Sequence, residues 1–156
     1  MSESTSFSRG LYFEEFEIGQ KIVTVGRTIT ESDVYGFAGL TGDYNQIHTD
    51  AEYAKDSLVG ERVAHGLLVL SIAMGLAVRT GFVEGTVLLF REITSWKFVK
   101  TVLFGDTVHV EMEVVNVKAL RRVGGGSITI DVDVLNQNDE VVMKGTWVAL
   151  ISSKPA

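Results

Sequence analysis

The stretch "VAHGLLVLSIAMGLAV", residues 63 to 78, is the longest apolar run in this chain of 156 residues. Apolar residues lie on nearly every side of a helix that begins at His65 and Gly66, and such a helix has to be buried in protein. The run contains a histidine and is too short to cross a bilayer comfortably. The sequence therefore predicts one long central helix that the other elements must cover.

The second half of the chain has the residue pattern of β-strands. Strands are predicted at residues 86–99, 106–117, 125–136 and 140–151, after a shorter one at residues 21–28. In two of them apolar and polar side chains alternate, so one face of the sheet is predicted to be buried and the other solvated. The predicted buried positions are Val108, Val110, Met112, Val114, Ile128, Ile130, Val132 and Val134.

Short connections join the predicted strands. Residues 118–126 and 136–139 are short enough to form hairpins, which makes the sheet antiparallel. A curved antiparallel sheet wrapped around one long central helix is an α+β architecture called the hot dog fold. Because one sheet with one helix leaves edges and flanks uncovered, we expect pairing with a second copy, as a homodimer or a higher homo-oligomer.

Shorter helices are predicted in the first half of the chain. Thr30 can be the N-cap of a helix that ends near Gly39, with Asp33 completing a capping box. Asp50 can cap a second short helix over residues 51–57. Both predictions depend on polar side chains that bond to the free N–H groups of a first helical turn.

Composition excludes several kinds of protein. The chain has no cysteine, so disulfides, thiolate metal sites and cysteine nucleophiles are excluded. Its formal net charge of -6 argues against nucleic-acid binding through a broad basic face. The first residues lack the basic start and apolar core of a signal peptide, so we expect a cytoplasmic protein without a membrane segment. We expect one domain over residues 11–151, between polar tails at residues 1–10 and 152–156.

The polar stretch "GDYNQIHTD", residues 42 to 50, contains the candidate catalytic groups. Asp43 and His48 lie five residues apart and can converge on one water, which they could deprotonate or use to pass on a proton. The alternative is structural: Asp43 and Asn45 make a turn, and His48 is an ordinary loop histidine. A metal site of Asp43, His48 and Asp50 is a weaker alternative, since carboxylate and imidazole bind several divalent ions.

Two neighbouring residues at the start of the central helix have separate interpretations. His65 is expected to be a packed, hydrogen-bonded histidine rather than a ligand. Gly66 lies in a first helical turn, where unpaired N–H groups and the positive end of the helix dipole are available, and a glycine lets a thioester oxygen approach closely. That arrangement would be an oxyanion hole. The alternative is a glycine required only for close packing.

Three segments of the chain occur in the same order in one known family. "FAGLTGDYNQIHTD" at residues 37–50 matches the pattern F-A-x-x-(T/S)-G-D-x-N-P-(L/I)-H-x-D. "RVAHGLLVLS" at residues 62–71 matches a segment ending V-x-H-G-(M/L)-L, and "FVKTVLFGD" at residues 98–106 matches F-x-x-P-V-x-x-G-D. From about Phe13 to about Leu150 the chain resembles the MaoC-like dehydratases, which include the R-specific enoyl-CoA hydratases.

The resemblance implies a function and a set of site residues. Asp43 and His48 are then the catalytic pair, holding the water that adds to a trans-2-enoyl-CoA to give an (R)-3-hydroxyacyl-CoA. Asp43 is expected to be the principal base and acid, and His48 to orient the water. Asn45 is implied to position the loop or His48, and the backbone N–H of Gly66 to bind the thioester carbonyl oxygen. An acyl-CoA is the implied substrate, with no metal and no organic cofactor.

Two departures from the family pattern leave other functions open. Gln46 and Thr101 occupy the positions of two family prolines. Because proline narrows the conformations of a loop, we expect a looser or differently directed catalytic loop around Gln46. One alternative function is an acyl-CoA thioesterase of the same fold, in which a carboxylate activates water against the carbonyl. The other is a non-catalytic acyl-CoA-binding module.

Overall fold

The computed structural model describes residues 9–156, so residues 1–8 of the predicted N-terminal tail lie outside the described residues. The helices are α1 (Glu31–Thr41), α2 (Gln46–Thr49), α3 (Ala51–Lys55) and α4 (Gly66–Arg79), with 3-10 turns at Phe13–Glu15 and Arg121–Val123. The strands are β1 (Lys21–Val23), β2 (Arg27–Thr28), β3 (Val87–Phe98), β4 (Thr107–Leu120), β5 (Gly125–Leu135) and β6 (Val141–Ser152).

The strands form one antiparallel sheet, as predicted. Its order is β1, β4, β5, β6, β3, and β2 also pairs with β4. The two predicted hairpins join β4 to β5 and β5 to β6, and their turns contain the left-handed residues Gly124 (φ 67°) and Asp139 (φ 57°). All eight predicted buried positions of β4 and β5 are at most 3% exposed. The predicted alternation of buried and solvated faces is therefore confirmed.

The predicted strand at residues 21–28 is divided into β1 and β2. Between them, the Thr24 N–H donates to the Val110 carbonyl at 2.9 Å, and the Thr24 hydroxyl accepts from the Val110 N–H at 2.9 Å. A hydroxyl thus replaces a backbone carbonyl in the ladder, which interrupts regular strand pairing. The prediction of one continuous strand was wrong for this reason.

Helix α1 has the predicted start and a later end. The Thr30 hydroxyl accepts from the Asp33 N–H at 3.1 Å, and the Asp33 carboxylate accepts from the Thr30 N–H at 2.9 Å, which confirms the capping box. The helix continues past Gly39 to Thr41 and ends at Gly42, whose φ of 81° is left-handed. A glycine inside a helix costs only about 1 kcal/mol, so Gly39 does not end it.

Helix α4 buries only one of its faces in the single chain. Leu67 is 60% exposed and Val78 also faces solvent. The prediction that this helix is covered on all sides is wrong for the single chain, because the sheet packs against it from one side. No helix of residues 9–156 has the length and apolarity needed to span a membrane. The buried residues of α4 are Leu68, Val69, Ile72, Ala73, Leu76 and Ala77.

Strand β3 is an edge strand with exposed apolar side chains. Within the described sheet it pairs with β6, and Leu89 is 58% exposed. Beside it runs the uncovered side of α4, and a cavity of about 1020 Å³ lies between the two elements. We call the apolar residues of α4 and β3 that line this cavity and are not buried the α4–β3 face. They are Leu70, Met74, Val78, Val87, Leu88, Leu89, Phe90 and Ile93.

Candidate active site

Asp43 follows the end of α1 and is held by local hydrogen bonds. Its N–H donates to Thr41 Oγ1 at 3.2 Å, and its Oδ1 accepts from the Asn45 N–H at 3.2 Å. Polar side chains that bond backbone groups two residues away form turns of this kind. Its other carboxylate oxygen, Oδ2, lies 4.0 Å from His65 Nε2, and the side chain is 52% exposed. The turn therefore fixes the backbone of Asp43 and leaves the carboxylate accessible.

His48 lies on α2, a single helical turn that the sequence did not predict. Asn45 is the N-cap of this turn: its Oδ1 accepts from the Ile47 N–H at 3.2 Å, and its carbonyl accepts from the His48 N–H at 2.9 Å. The His48 side chain is buried, and its Nδ1 donates to the Val63 carbonyl at 2.7 Å. Because a carbonyl only accepts, the proton is on Nδ1, which leaves the lone pair on Nε2.

His65 joins these two residues, and sequence reasoning missed that role. It is 2% exposed, and its Nε2 donates to the backbone carbonyl of Asp43 at 2.8 Å. Its ring stacks on the ring of His48, with centroids 3.8 Å apart and 29° between the planes, and Phe37 packs against it at 5.0 Å. The expectation of a packed, hydrogen-bonded histidine is confirmed. The sequence feature that could have indicated this role is the position of His65 directly before Gly66, the candidate oxyanion donor.

The side chains of Asp43, His48 and His65 converge. One carboxylate oxygen and one ring nitrogen of each histidine lie within 4.8 Å of one another. Two hydrogen bonds from one water, at the usual length and a tetrahedral angle, span about 4.6 Å. A water shared by the Asp43 carboxylate and a histidine nitrogen therefore fits this group.

The same group fits a metal ion poorly. Asp50, a ligand in the metal interpretation of the sequence, instead caps α3 through a 2.9 Å hydrogen bond from the Tyr53 N–H to its Oδ1. The His65 Nε2 carries the proton that it donates to the Asp43 carbonyl. Ring lone pairs lie in the ring planes, so two stacked imidazoles do not direct them to one tetrahedral centre.

Gly66 is the first residue of α4 and lies beneath Phe98. No described residue accepts a hydrogen bond from its N–H, as expected in the first turn of a helix. A Cβ at this position would lie 2.6 Å from Phe98 Cε1 and 2.8 Å from Cδ1. Close packing therefore explains the glycine, and the free N–H is compatible with an oxyanion hole. The two interpretations of Gly66 do not exclude each other.

A cavity of about 670 Å³ lies beside this part of the molecule. His48, Gly66, Leu67 and Phe98 are among the residues that line it. Asp43 does not line it, and Leu67 at its edge is largely exposed. In the single chain the candidate site is thus open to solvent on two sides. One is the side of Asp43, and the other is the side of the uncovered face of α4.

Solved structures identify the class of protein that this fold and site define. A double hot dog protein from Mycobacterium tuberculosis superposes with a TM-score of 0.84 at 20% identity, over 94% of this chain and 45% of that one. A structure described as a monoamine oxidase regulatory protein, from an Archaeoglobus species, superposes with a TM-score of 0.88 at 37% identity, over 94% of this chain and 97% of that one. The protein is a hot dog domain.

Residues 14–136 match the family described as the MaoC like domain, and the chain belongs to that family. It is 32% identical to a 3-hydroxybutyryl-CoA dehydratase of Methylorubrum extorquens, over 94% of this chain and 87% of that protein. It is 38% identical to an (R)-specific enoyl-CoA hydratase of Rhodospirillum rubrum, over 62% of this chain and 65% of that protein. With Protein MaoC of Klebsiella aerogenes the identity is 39%, over 65% of this chain and 30% of that longer protein.

Proposed function

We propose that the protein reversibly hydrates trans-2-enoyl-CoA to (R)-3-hydroxyacyl-CoA. The observation that carries the proposal is the convergence of the Asp43 carboxylate with the ring nitrogens of His48 and His65 within 4.8 Å. Membership of the MaoC-like family and the names of two relatives, a dehydratase and an (R)-specific hydratase, support it. The compartment in which this reaction would occur remains an expectation from the sequence, namely the cytoplasm.

The proposed reaction needs a base, an acid and a donor for the thioester oxygen. The Asp43 carboxylate takes a proton from the water, whose oxygen forms a bond to C3 while the C2–C3 π electrons move toward the carbonyl. His48 accepts a hydrogen bond from the water at Nε2 and so orients it. The protonated Asp43 then returns the proton to C2, so water is added to one face of the double bond.

The Gly66 N–H is the proposed donor to the carbonyl oxygen. Negative charge collects on this oxygen as the C3–O bond forms, and an unpaired N–H at a helix start is placed to stabilise it. Asn45 is proposed to support His48, since it caps the helical turn on which His48 lies. These groups supply every function that the hydration needs, so the proposal includes no metal and no organic cofactor.

We also propose that the protein acts as a homodimer. The α4–β3 face exposes Leu89 and its apolar neighbours, and patches of this kind mark association surfaces. It is continuous along α4 with the open side of the candidate site, where Leu67 is exposed. A second copy on this face would remove both the helix and the edge strand from water.

A panel of thioesters tests the proposed reaction. The enzyme is added to short, medium and branched trans-2-enoyl-CoAs, and loss of the conjugated thioester absorbance is followed. Turnover that His48→Ala abolishes supports the proposal. Absence of turnover with every enoyl-CoA would refute it. Release of free thiol from saturated acyl-CoAs would instead identify a thioesterase, and tight binding without either reaction a binding module.

A further inference from the structure

We propose that His65 is a positioning residue that holds Asp43 and His48 in their mutual geometry. This proposal rests on the proposed function, because it concerns the same site. His65 is bonded to Asp43 and stacked on His48, and it directly precedes Gly66, whose N–H is the proposed oxyanion donor. One residue therefore contacts, or is covalently joined to, each group that the reaction needs.

The contact with Asp43 fixes the backbone from which the carboxylate extends. Asp43 is held on one side by Thr41 and Asn45, both of which belong to the same exposed turn. The hydrogen bond from His65 Nε2 is the contact that joins this turn to the buried start of α4, 22 residues further along the chain. A small displacement of a reacting group lowers the rate strongly, so anchoring the turn to a rigid helix has a direct kinetic effect.

The contact with His48 fixes the plane of its ring. The Nδ1 bond to the Val63 carbonyl holds one edge of the imidazole but permits rotation about that bond. The His65 ring stacks on the His48 ring with centroids 3.8 Å apart and 29° between the planes, and Phe37 packs against His65 at 5.0 Å. The stack limits this rotation, so the position of Nε2 relative to the Asp43 carboxylate is restricted.

The Nδ1 atom of His65 indicates that burial alone does not explain the residue. It is buried and has no hydrogen-bond partner among the described residues, and a buried acceptor without a partner is unfavourable for folding. An apolar side chain would fill the same space without this cost. Unfavourable groups of this kind persist where function requires them. The requirement here is the Nε2–H donor on a flat ring.

Two substitutions separate the hydrogen bond from the rest of the side chain. The amide nitrogen of Gln reaches as far as histidine Nε2, whereas that of Asn reaches only as far as Nδ1, so His65→Gln can keep the bond to the Asp43 carbonyl and His65→Asn cannot. Both variants lose the ring stack. We expect His65→Asn to lower kcat relative to His65→Gln by about 10-fold to 100-fold, with KM changed less than about 3-fold. Equal kcat values for the two variants, whether high or low, would overturn the proposal.

NMR, which does not depend on turnover, tests the positioning role of His65 separately from the proposed hydratase function. Nitrogen-15 NMR of the wild-type imidazoles is expected to show the proton of His65 on Nε2 and that of His48 on Nδ1. The amide nitrogen of Tyr44, which shares a peptide group with the Asp43 carbonyl, is expected to shift in His65→Asn and to stay near its wild-type position in His65→Gln. A His65 proton on Nδ1 in the wild type would overturn the positioning role, even if enoyl-CoA is hydrated. Absence of turnover with the expected NMR result would overturn the hydratase function alone.

Discussion

At the scale of single residues, two backbone carbonyls determine what the candidate site can do. The carbonyl of Val63 requires the His48 proton on Nδ1, and the carbonyl of Asp43 requires the His65 proton on Nε2. These hydrogen bonds leave a different nitrogen without a proton in each of the two stacked imidazoles: Nε2 in His48 and Nδ1 in His65. The His48 Nε2 is therefore the histidine lone pair available to a water, and Asp43 is the available carboxylate.

Replacing the Asp43 carboxylate tests the proposed base. Asp43→Asn keeps an oxygen for the Asn45 N–H but cannot take a proton from water, so we expect kcat for hydration to fall by about 10²-fold to 10⁴-fold. The melting temperature should not change, because the side chain is half exposed. Asp56→Asn, the same chemical change at an exposed residue after α3, serves as the control and should keep full activity. Wild-type kcat in Asp43→Asn would show that the carboxylate is not the base.

Packing at Gly66 gives a prediction about stability. Gly66→Ala places a Cβ against the Phe98 ring, which must move, so we expect the free energy of unfolding to decrease by about 1 kcal/mol. The control is Gly36→Ala, an exposed position inside α1, where an added Cβ would meet nothing within 4 Å beyond its chain neighbours and the backbone of its own helix. That variant should gain about 0.5–1 kcal/mol from better helix propensity. Urea unfolding followed by circular dichroism measures both, and similar changes in the two variants would contradict the packing seen at Phe98.

At the scale of secondary structure, elements with strong local signals were predicted and elements that depend on tertiary contacts were not. The capping box of Thr30 and the alternation of β4 and β5 involve residues close in sequence, so the sequence contains the whole signal. Helix α2 has one turn, which is too short for a periodic pattern. The break at Thr24 depends on Val110, which is 86 residues away. Likewise, the role of His65 depends on contacts with a loop that precedes it by about 20 residues.

Hydrogen bonds hold the loop of the candidate site around Gln46, which occupies the position of a family proline. Gln46 is the first residue of α2, a position that proline favours because its N–H has no helical partner. The Tyr35 hydroxyl donates to the Thr49 carbonyl at 2.9 Å, and the Thr49 hydroxyl donates to the Tyr44 carbonyl at 3.1 Å. These bonds constrain both ends of the turn without proline. The effect of this constraint on the rate stays a prediction.

The substitution Gln46→Pro tests that interpretation. The preceding residue, Asn45, has φ -53° and ψ 136°, which suits a residue before proline. We expect the free energy of unfolding to rise by about 0.4–1 kcal/mol, with activity retained. Ile47→Pro is the control: it removes the N–H that Asn45 accepts, so thermal unfolding should occur at a lower temperature than in the wild type. A destabilised Gln46→Pro would mean that the loop is not preformed for proline.

At the scale of the whole molecule, the single chain leaves its central helix half covered. The sequence correctly predicts a long apolar helix and an apolar β3, but hydropathy does not say which residues pack within one chain and which pack between chains. The apolar residues of the α4–β3 face are the ones for which hydropathy leaves open whether they pack within one chain or between two. An exposed apolar edge strand beside an uncovered helix favours association over a stable monomer.

Charge on this face should separate the copies. Leu89→Lys places a cation on the exposed strand β3, and burying it against a second copy is costly, so we expect a shift from dimer to monomer at micromolar concentration. Val25→Lys, at an exposed position near the opposite edge of the sheet, should leave the dimer intact. Light scattering coupled to size-exclusion chromatography measures both masses. A wild-type monomer at micromolar concentration would contradict the proposed homodimer.

The stereochemistry of hydration tests the Asp43 and His48 assignment most directly. Crotonyl-CoA is incubated in D₂O with the wild-type protein and with Asp43→Asn, and the 3-hydroxybutyryl-CoA is analysed for configuration at C3 and for deuterium at C2. We expect the wild-type protein to form the (R) product, with oxygen and deuterium added to the same face, and Asp43→Asn to form almost none. An (S) product, addition to opposite faces, or equal yields from the two proteins would contradict a water held by Asp43 and His48.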